Sequence, residues 1–137
     1  MAIKFAKEHP DGSIHLILID IMENLKERLI CDLQEASGNK NIATYYNVDL
    51  QDSALIASFW ETATKKHGPI GLLVNNAAIC MGRKLSELSL DQFKRTMNIN
   101  FISYVHLAKL FLEQPTSERT RELHLVNVSS IAGHMTC

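Results

Sequence analysis

The residues of this chain that could do chemistry gather at the ends of apolar runs and in short polar turns. They are the carboxylate of Asp20, the turn Asp49-Leu50-Gln51-Asp52, the small polar turn Asn75-Asn76-Ala77-Ala78, the amide of Asn100 and the hydroxyl pair Ser129-Ser130. A carboxylate at Asp20 could accept hydrogen bonds from both hydroxyls of a ribose and repel a phosphate carried on one of them, or it could cap the helix that follows. Asp49 could accept from the amino group of a flat base, and its plainer role is to cap the next helix with Asp52. Ala77 and Ala78 are small enough to let a planar ligand approach the backbone, and the neighbouring amides could tie strands together. Ser130 could donate a hydrogen bond to a reacting carbonyl oxygen as charge develops on it, or serve as an ordinary turn former. Asn100 could expose a backbone carbonyl, hold a water, or face solvent.

These residues need a scaffold, and the apolar periodicity supplies one. Ala2 to Glu8 reads as the tail of a helix stopped by His9-Pro10-Asp11-Gly12. Ser13 to Ile21 is a near-continuous apolar run of strand length, the pattern of a strand covered on both faces. Met22, Leu25, Leu29, Ile30 and Leu33 recur at helical spacing up to Ser37, with Gly38 as the C-terminal cap. Asn41 to Val48 is β-branched and aromatic, predicting a second strand. Ser53 to His67 carries Leu55, Ile56, Phe59, Trp60 and Ala63 on one helical stripe closed by Gly68-Pro69. Ile70 to Val74 predicts a third strand. The capping box Ser89-Leu90-Asp91-Gln92 starts a helix reaching about Leu112. After a polar connection over Pro115 to Arg121, Leu123 to Val128 predicts a last buried strand that delivers Ser129 and Ser130 at its carboxyl end. Strands alternating with helices argue an α/β fold, a doubly wound parallel sheet with helices on both faces, in which ligands bind beyond the carboxyl ends of the strands.

Composition narrows the function classes. The 137 residues form at most one domain, with 46% hydrophobic and 21% charged residues. Fourteen basic residues against fifteen acidic ones give a formal net charge of -1 with no basic stripe, which argues against nucleic acid as a partner. No run approaches the ~20 apolar residues of a bilayer span, and the start lacks a signal-peptide pattern, so a cytoplasmic location is expected. Cys31, Cys80 and Cys137 form no Cys-x-x-Cys pair and stand at no metal-ligand spacing, which predicts reduced thiols and no metal site.

Taken in order, five segments resemble the short-chain dehydrogenases/reductases. They are Leu18-Ile19-Asp20-Ile21, Asp49-Leu50-Gln51-Asp52, Leu73-Val74-Asn75-Asn76-Ala77-Ala78, Asn98-Ile99-Asn100, and Val126-Asn127-Val128-Ser129-Ser130-Ile131-Ala132-Gly133. The resemblance runs over essentially the whole chain, so residues 1–137 are expected to be a partial NAD(P)-binding Rossmann domain. It implies an oxidoreductase that transfers hydride between NAD(P) and an alcohol or carbonyl substrate. By that likeness Asp20 and Ile21 contact the adenosine ribose, Asp49 and Leu50 the adenine, and Asn75, Asn76, Ala77 and Ala78 lie along the cofactor. Asn100 anchors a proton-relay water, and Ser130 orients the substrate. An acidic Asp20 favours NAD over NADP. Ala78 stands where the family usually has Gly. Asp20 and Ala132-Gly133-His134 resemble the branch acting on retinoids, steroids and other lipid alcohols.

The resemblance also marks what these 137 residues do not include. The family's first strand and phosphate-binding glycine loop would precede Ala2, and its Tyr-x-x-x-Lys acid/base pair would follow Cys137. Tyr45, Tyr46 and Tyr104 offer no substitute, since none has Lys four residues on. The chain alone is therefore expected not to run the reaction. The first strand of the family would lie between the strands ending at Asp20 and Val74, and without it the isolated chain is expected to be marginal or insoluble. A complete member is expected to be a homo-oligomer, and an N-terminal membrane anchor remains compatible with the sequence. The alternative is a non-catalytic Rossmann-like remnant with a binding or vestigial role.

Overall fold

A computed structural model describes residues 1–115 and 122–131. The chain forms two compact units, Met1–Asp49 and Leu50–Cys137.

The first unit is helix α1 (Ala2–Glu8), strand β1 (Leu16–Asp20), helix α2 (Lys26–Ser37) and strand β2 (Ala43–Asn47), with a single 3₁₀ turn, Glu23–Leu25, leading into α2. β1 and β2 pair in parallel, with Leu18 opposite Tyr45 and Asp20 opposite Asn47. Ala6, Leu33 and Ile42 are fully buried at its centre, so α1 and α2 together cover the strand pair. α2 ends where Gly38 takes the left-handed conformation at φ 69°, as the glycine predicts. Met22 and Leu25, expected on the buried stripe, are exposed because the helix starts only at Lys26 and the 3₁₀ turn rotates them outward. The residues Leu16 to Ile19 are half-buried rather than buried on both faces.

The second unit contains α3 (Ser53–His67), β3 (Leu72–Asn75), a 3₁₀ turn at Leu85–Glu87, and α4 (Leu90–Met97). From α4 the chain continues through the π-helical segment Asn98–Ile102 into α5 (Ser103–Leu112), and then β4 (His124–Asn127). Asp52 caps α3, its Oδ1 accepting from the amides of Ala54 and Leu55, so the expected cap is Asp52 and not Asp49. Both halves of the Ser89–Gln92 capping box form. Ile56, Trp60 and Ala63 of α3 are buried, as are Leu107 and Phe111 of α5, and the Trp60 and Phe111 rings meet edge to face at 6.4 Å. Leu55, assigned to the same stripe by spacing, faces out. Gln114 closes this core: its Oε1 accepts from the Ile70 amide at 2.6 Å, and its Nε2 donates to the carbonyls of Ile70 and Phe111. One side chain thus satisfies the last turn of α5 and the approach to β3.

β3 and β4 pair in parallel, with Asn75 opposite Asn127. The single open sheet expected from the alternation is present as two parallel pairs, β1-β2 and β3-β4, each a βαβ arrangement. β4, expected to be buried, is exposed at all four positions, and its pairing with β3 leaves its faces largely uncovered among the described residues. The polar connection expected over Pro115 to Arg121 falls, beyond Pro115, outside the described residues. Among the described residues no helix is long and apolar enough to cross a membrane.

Candidate functional site

In the first unit the expected site residues converge on the turn after β1. Asp20 is the last residue of the strand and is exposed, and its Oδ1 accepts from the Met22 amide at 2.9 Å in an Asx turn. It does not cap α2, which has no side-chain cap at its N-terminus. Asn47 Nδ2 donates to the Ile21 carbonyl and the Tyr45 hydroxyl to the Met22 carbonyl, both at 2.9 Å. Burial, with the carboxylates of Asp20 and Glu23 beside it, pushes the Tyr45 phenol above its ordinary pKa, so it stays a neutral donor. The Val48 amide donates to the Asp20 carbonyl and carries the strand pairing one residue past Asn47, and Asp49 closes this unit.

In the second unit the expected residues gather past the carboxyl end of β3. Asn75 belongs to the strand rather than to the turn and is 2% exposed. Its Nδ2 donates to Asn127 Oδ1 at 2.9 Å and to the Tyr104 carbonyl at 3.4 Å, tying β3 to β4 and α5. Its Oδ1 is buried without a hydrogen-bond partner among the described residues. The turn that follows is held from the helix. The Tyr104 hydroxyl donates to the Ala77 carbonyl at 2.9 Å, and burial raises that phenol's pKa. Asn100 does not face solvent: its Oδ1 accepts from the Ile79 amide at 2.9 Å and its Nδ2 donates to the Ile79 carbonyl at 2.8 Å.

Asn100 sits in the middle of the π-helical segment, where the Ser103 amide bonds the Asn98 carbonyl five residues back. The buried Ser103 hydroxyl donates to the Ile99 carbonyl at 2.6 Å. A wider turn of this kind displaces main-chain carbonyls from the regular α ladder, and such segments collect at functional sites. Nothing in the apolar periodicity of Phe93 to Leu112 announces it.

Ala78, at the position where the resemblance expects Gly, has no need of one: no non-glycine residue has positive φ among the described residues. Leu50 and Asn76 lie at the start of the second unit and just past β3. The Val128 amide donates to the Asn75 carbonyl, and Ser130, exposed, follows two residues later. Ala132-Gly133-His134 and Cys137 lie outside the described residues. Cys31 and Cys80 are free and exposed, and the Glu35 carboxylate 3.7 Å from Cys31 raises its thiol pKa, which keeps it protonated. Sequence reasoning missed Tyr45, Asn47 and Tyr104, whose partners lie more than twenty residues away in the chain and leave no local pattern.

Comparison with known proteins agrees with the arrangement. A family profile described as short chain dehydrogenase matches residues 2–137. An uncharacterized oxidoreductase of Mycobacterium bovis is 32% identical over 88% of this chain and 35% of its own length. A mouse 3-ketodihydrosphingosine reductase is 31% identical over 76% of this chain and 31% of its own length. The chain therefore spans about a third of the curated relatives it matches. Among solved structures, a putatively assigned short-chain dehydrogenase from Novosphingobium aromaticivorans superposes with a TM-score of 0.84 at 18% identity, covering 98% of this chain and 50% of that one. A metagenomic short-chain oxidoreductase, solved in complex with NADP, superposes at 0.79 with 24% identity, covering 99% of this chain and 59% of that one. The fold is accordingly a partial Rossmann-like α/β sheet, and the chain belongs to the short-chain dehydrogenase/reductase family of oxidoreductases.

Proposed function

We propose that this chain forms the cofactor-facing part of an oxidoreductase acting on an alcohol or carbonyl substrate, with NAD as its preferred cofactor. The observation that carries the reading is the exposed carboxylate of Asp20 at the carboxyl end of β1, held in an Asx turn that engages Oδ1 on the Met22 amide. A carboxylate so presented suits a ribose diol, and it opposes a 2′-phosphate by like charge. When bound, a nicotinamide cofactor supplies the hydride that is exchanged with the substrate carbon.

The chain's own residues supply binding and orientation. Asp20 accepts the ribose hydroxyls beside Ile21, and Asp49 and Leu50 flank the base. Ala77 and Ala78, small and without positive φ, admit a flat ring close to the backbone past β3 with Asn76 alongside it, while the buried Asn75 supports that turn by tying β3 to β4 and α5. Ser130 donates to the substrate oxygen and stabilises it as charge develops. The Asn100 amide is committed to Ile79, so a relay water at this residue is held by its main-chain carbonyl. Among these residues none of Tyr45, Tyr46 and Tyr104 has Lys four positions on, so no acid/base pair of that spacing is assigned. The exposed stripe of Phe93, Met97, Phe101 and Val105 along α4, the π-helical segment and α5 is a surface for a second copy in a homo-oligomer.

The test is a titration of the chain with NADH and NADPH followed by nicotinamide fluorescence. Saturable binding with NADH the tighter ligand is expected. Absence of any response would leave only the binding or vestigial role, and tighter NADPH binding would reverse the assignment of Asp20.

A further inference from the structure

The turn after β1 lacks the usual anchor of a turn. Ile21 is 54% and Met22 46% exposed, so neither side chain is fixed by packing. What holds the turn is polar. Tyr45 and Asn47 are two residues apart on β2 and therefore share a face of the strand pair. With Leu18 opposite Tyr45 and Asp20 opposite Asn47, both side chains reach just past the end of β1. Each takes one main-chain carbonyl there, Tyr45 that of Met22 and Asn47 that of Ile21, at 2.9 Å. The Ile21–Met22 peptide is thereby gripped at its carbonyl by Asn47 while its amide holds Asp20 Oδ1, and Tyr45 holds the carbonyl of the next peptide. Tyr45 itself is 8% exposed, and its bond to the Met22 carbonyl is partly shielded from water.

We propose that Tyr45 and Asn47 are positioning residues for cofactor discrimination, acting through the Ile21–Met22 backbone to fix the direction in which Asp20 presents its carboxylate. The proposal rests on the reading that Asp20 receives the ribose. A fixed carboxylate accepts a diol in one geometry and meets a 2′-phosphate without room to turn away. A loosened one loses affinity for the diol and swings from the phosphate, so the two cofactors respond in opposite senses.

The experiment measures dissociation constants for NADH and NADPH on the full 137-residue chain and on Tyr45→Phe, Asn47→Ala, the double variant and Asp20→Asn. Tyr45→Phe keeps the ring and its packing and removes one hydroxyl. Each single substitution is expected to lower the NADPH-to-NADH ratio of dissociation constants about threefold, and the double variant about tenfold. A scaffold role alone would weaken both cofactors in proportion, so an unmoved ratio in the double variant, with Asp20→Asn shifting it, overturns the proposal. An unmoved ratio in Asp20→Asn instead overturns the ribose reading, and the positioning role with it. Exchange of the Met22 amide with deuterium supplies a readout without cofactor: acceleration in Asn47→Ala and Tyr45→Phe is expected, and unchanged exchange in both contradicts the clamp. Should Tyr45→Phe fail to fold, the exposed Asn47 carries the same comparison.

Discussion

At the end of β1 the turn is fixed by side chains lent from the neighbouring strand, and the strand's own terminal residue, Asp20, keeps an exposed carboxylate. At the end of β3 the arrangement is reversed. The terminal Asn75 is buried, with its amide used on Asn127 and Tyr104, and the turn beyond it is gripped by Asn100 and Tyr104 of the helix. Both turns have main-chain groups bonded by side chains from elsewhere, yet only the first leaves its terminal side chain to the outside. The contrast separates two arrangements of polar residues near strand ends: Asp20 presents an exposed carboxylate, the ribose acceptor proposed above, whereas Asn75 and Asn100 spend their amides on protein partners.

The contrast predicts unequal responses to substitution. The largest is expected for Asn75→Asp, which removes the donor and sets a carboxylate beside Asn127 Oδ1 in a buried place. A loss of about 3 kcal/mol or more in urea unfolding is expected, and a loss under ~0.5 kcal/mol would dissolve the distinction. Asn100→Ala orphans the Ile79 amide and carbonyl, costing about 2 kcal/mol by the same measurement. Tyr104→Phe removes one bond to Ala77, worth about 1 kcal/mol.

An alkaline titration sharpens the comparison from both ends. The Tyr45 and Tyr104 phenols are raised by burial, so the folded chain binds their protons more firmly than the unfolded chain does. Their contribution is fully present below the unfolded value of about 10 and is lost as pH rises from there through the folded values. Stability should therefore fall above about pH 10, and Tyr45→Phe or Tyr104→Phe should each flatten part of that fall. A fall of equal steepness in both variants would contradict the assignment. The smallest effect on stability belongs to Asp20→Asn, whose amide can still accept from Met22: a change within about 0.5 kcal/mol is expected, together with weaker NADH binding.

Much of this architecture was legible in the residues. α3 begins and ends where Ser53 and His67-Gly68-Pro69 place it, and the Ser89–Gln92 box starts α4 as spacing predicts, because caps are local chemistry. Asp20, Asn75, Asn100 and Ser130 were singled out from their types and order. Their surroundings were not. Whether Asn100 faces water or Ile79 depends on a contact across twenty-one residues, and the π-helical segment that aims it keeps the same apolar pattern as an α-helix. The exposure of β4 was hidden for a similar reason: Leu125, Val126 and Val128 read as core until the covering elements are located. Tyr45 reads as an ordinary strand aromatic, and only the parallel register shows its hydroxyl reaching Met22.

The most direct test of ligand-facing against backbone-holding residues is an amide chemical-shift titration of the chain with NADH. Selective shifts are expected at Ile21, Met22 and Asn76 to Ala78, with the side-chain amide signals of Asn75 and Asn100 moving least because both remain bonded to protein. Uniformly small shifts at both turns, or the largest shifts at the Asn75 and Asn100 side-chain amides, would contradict it.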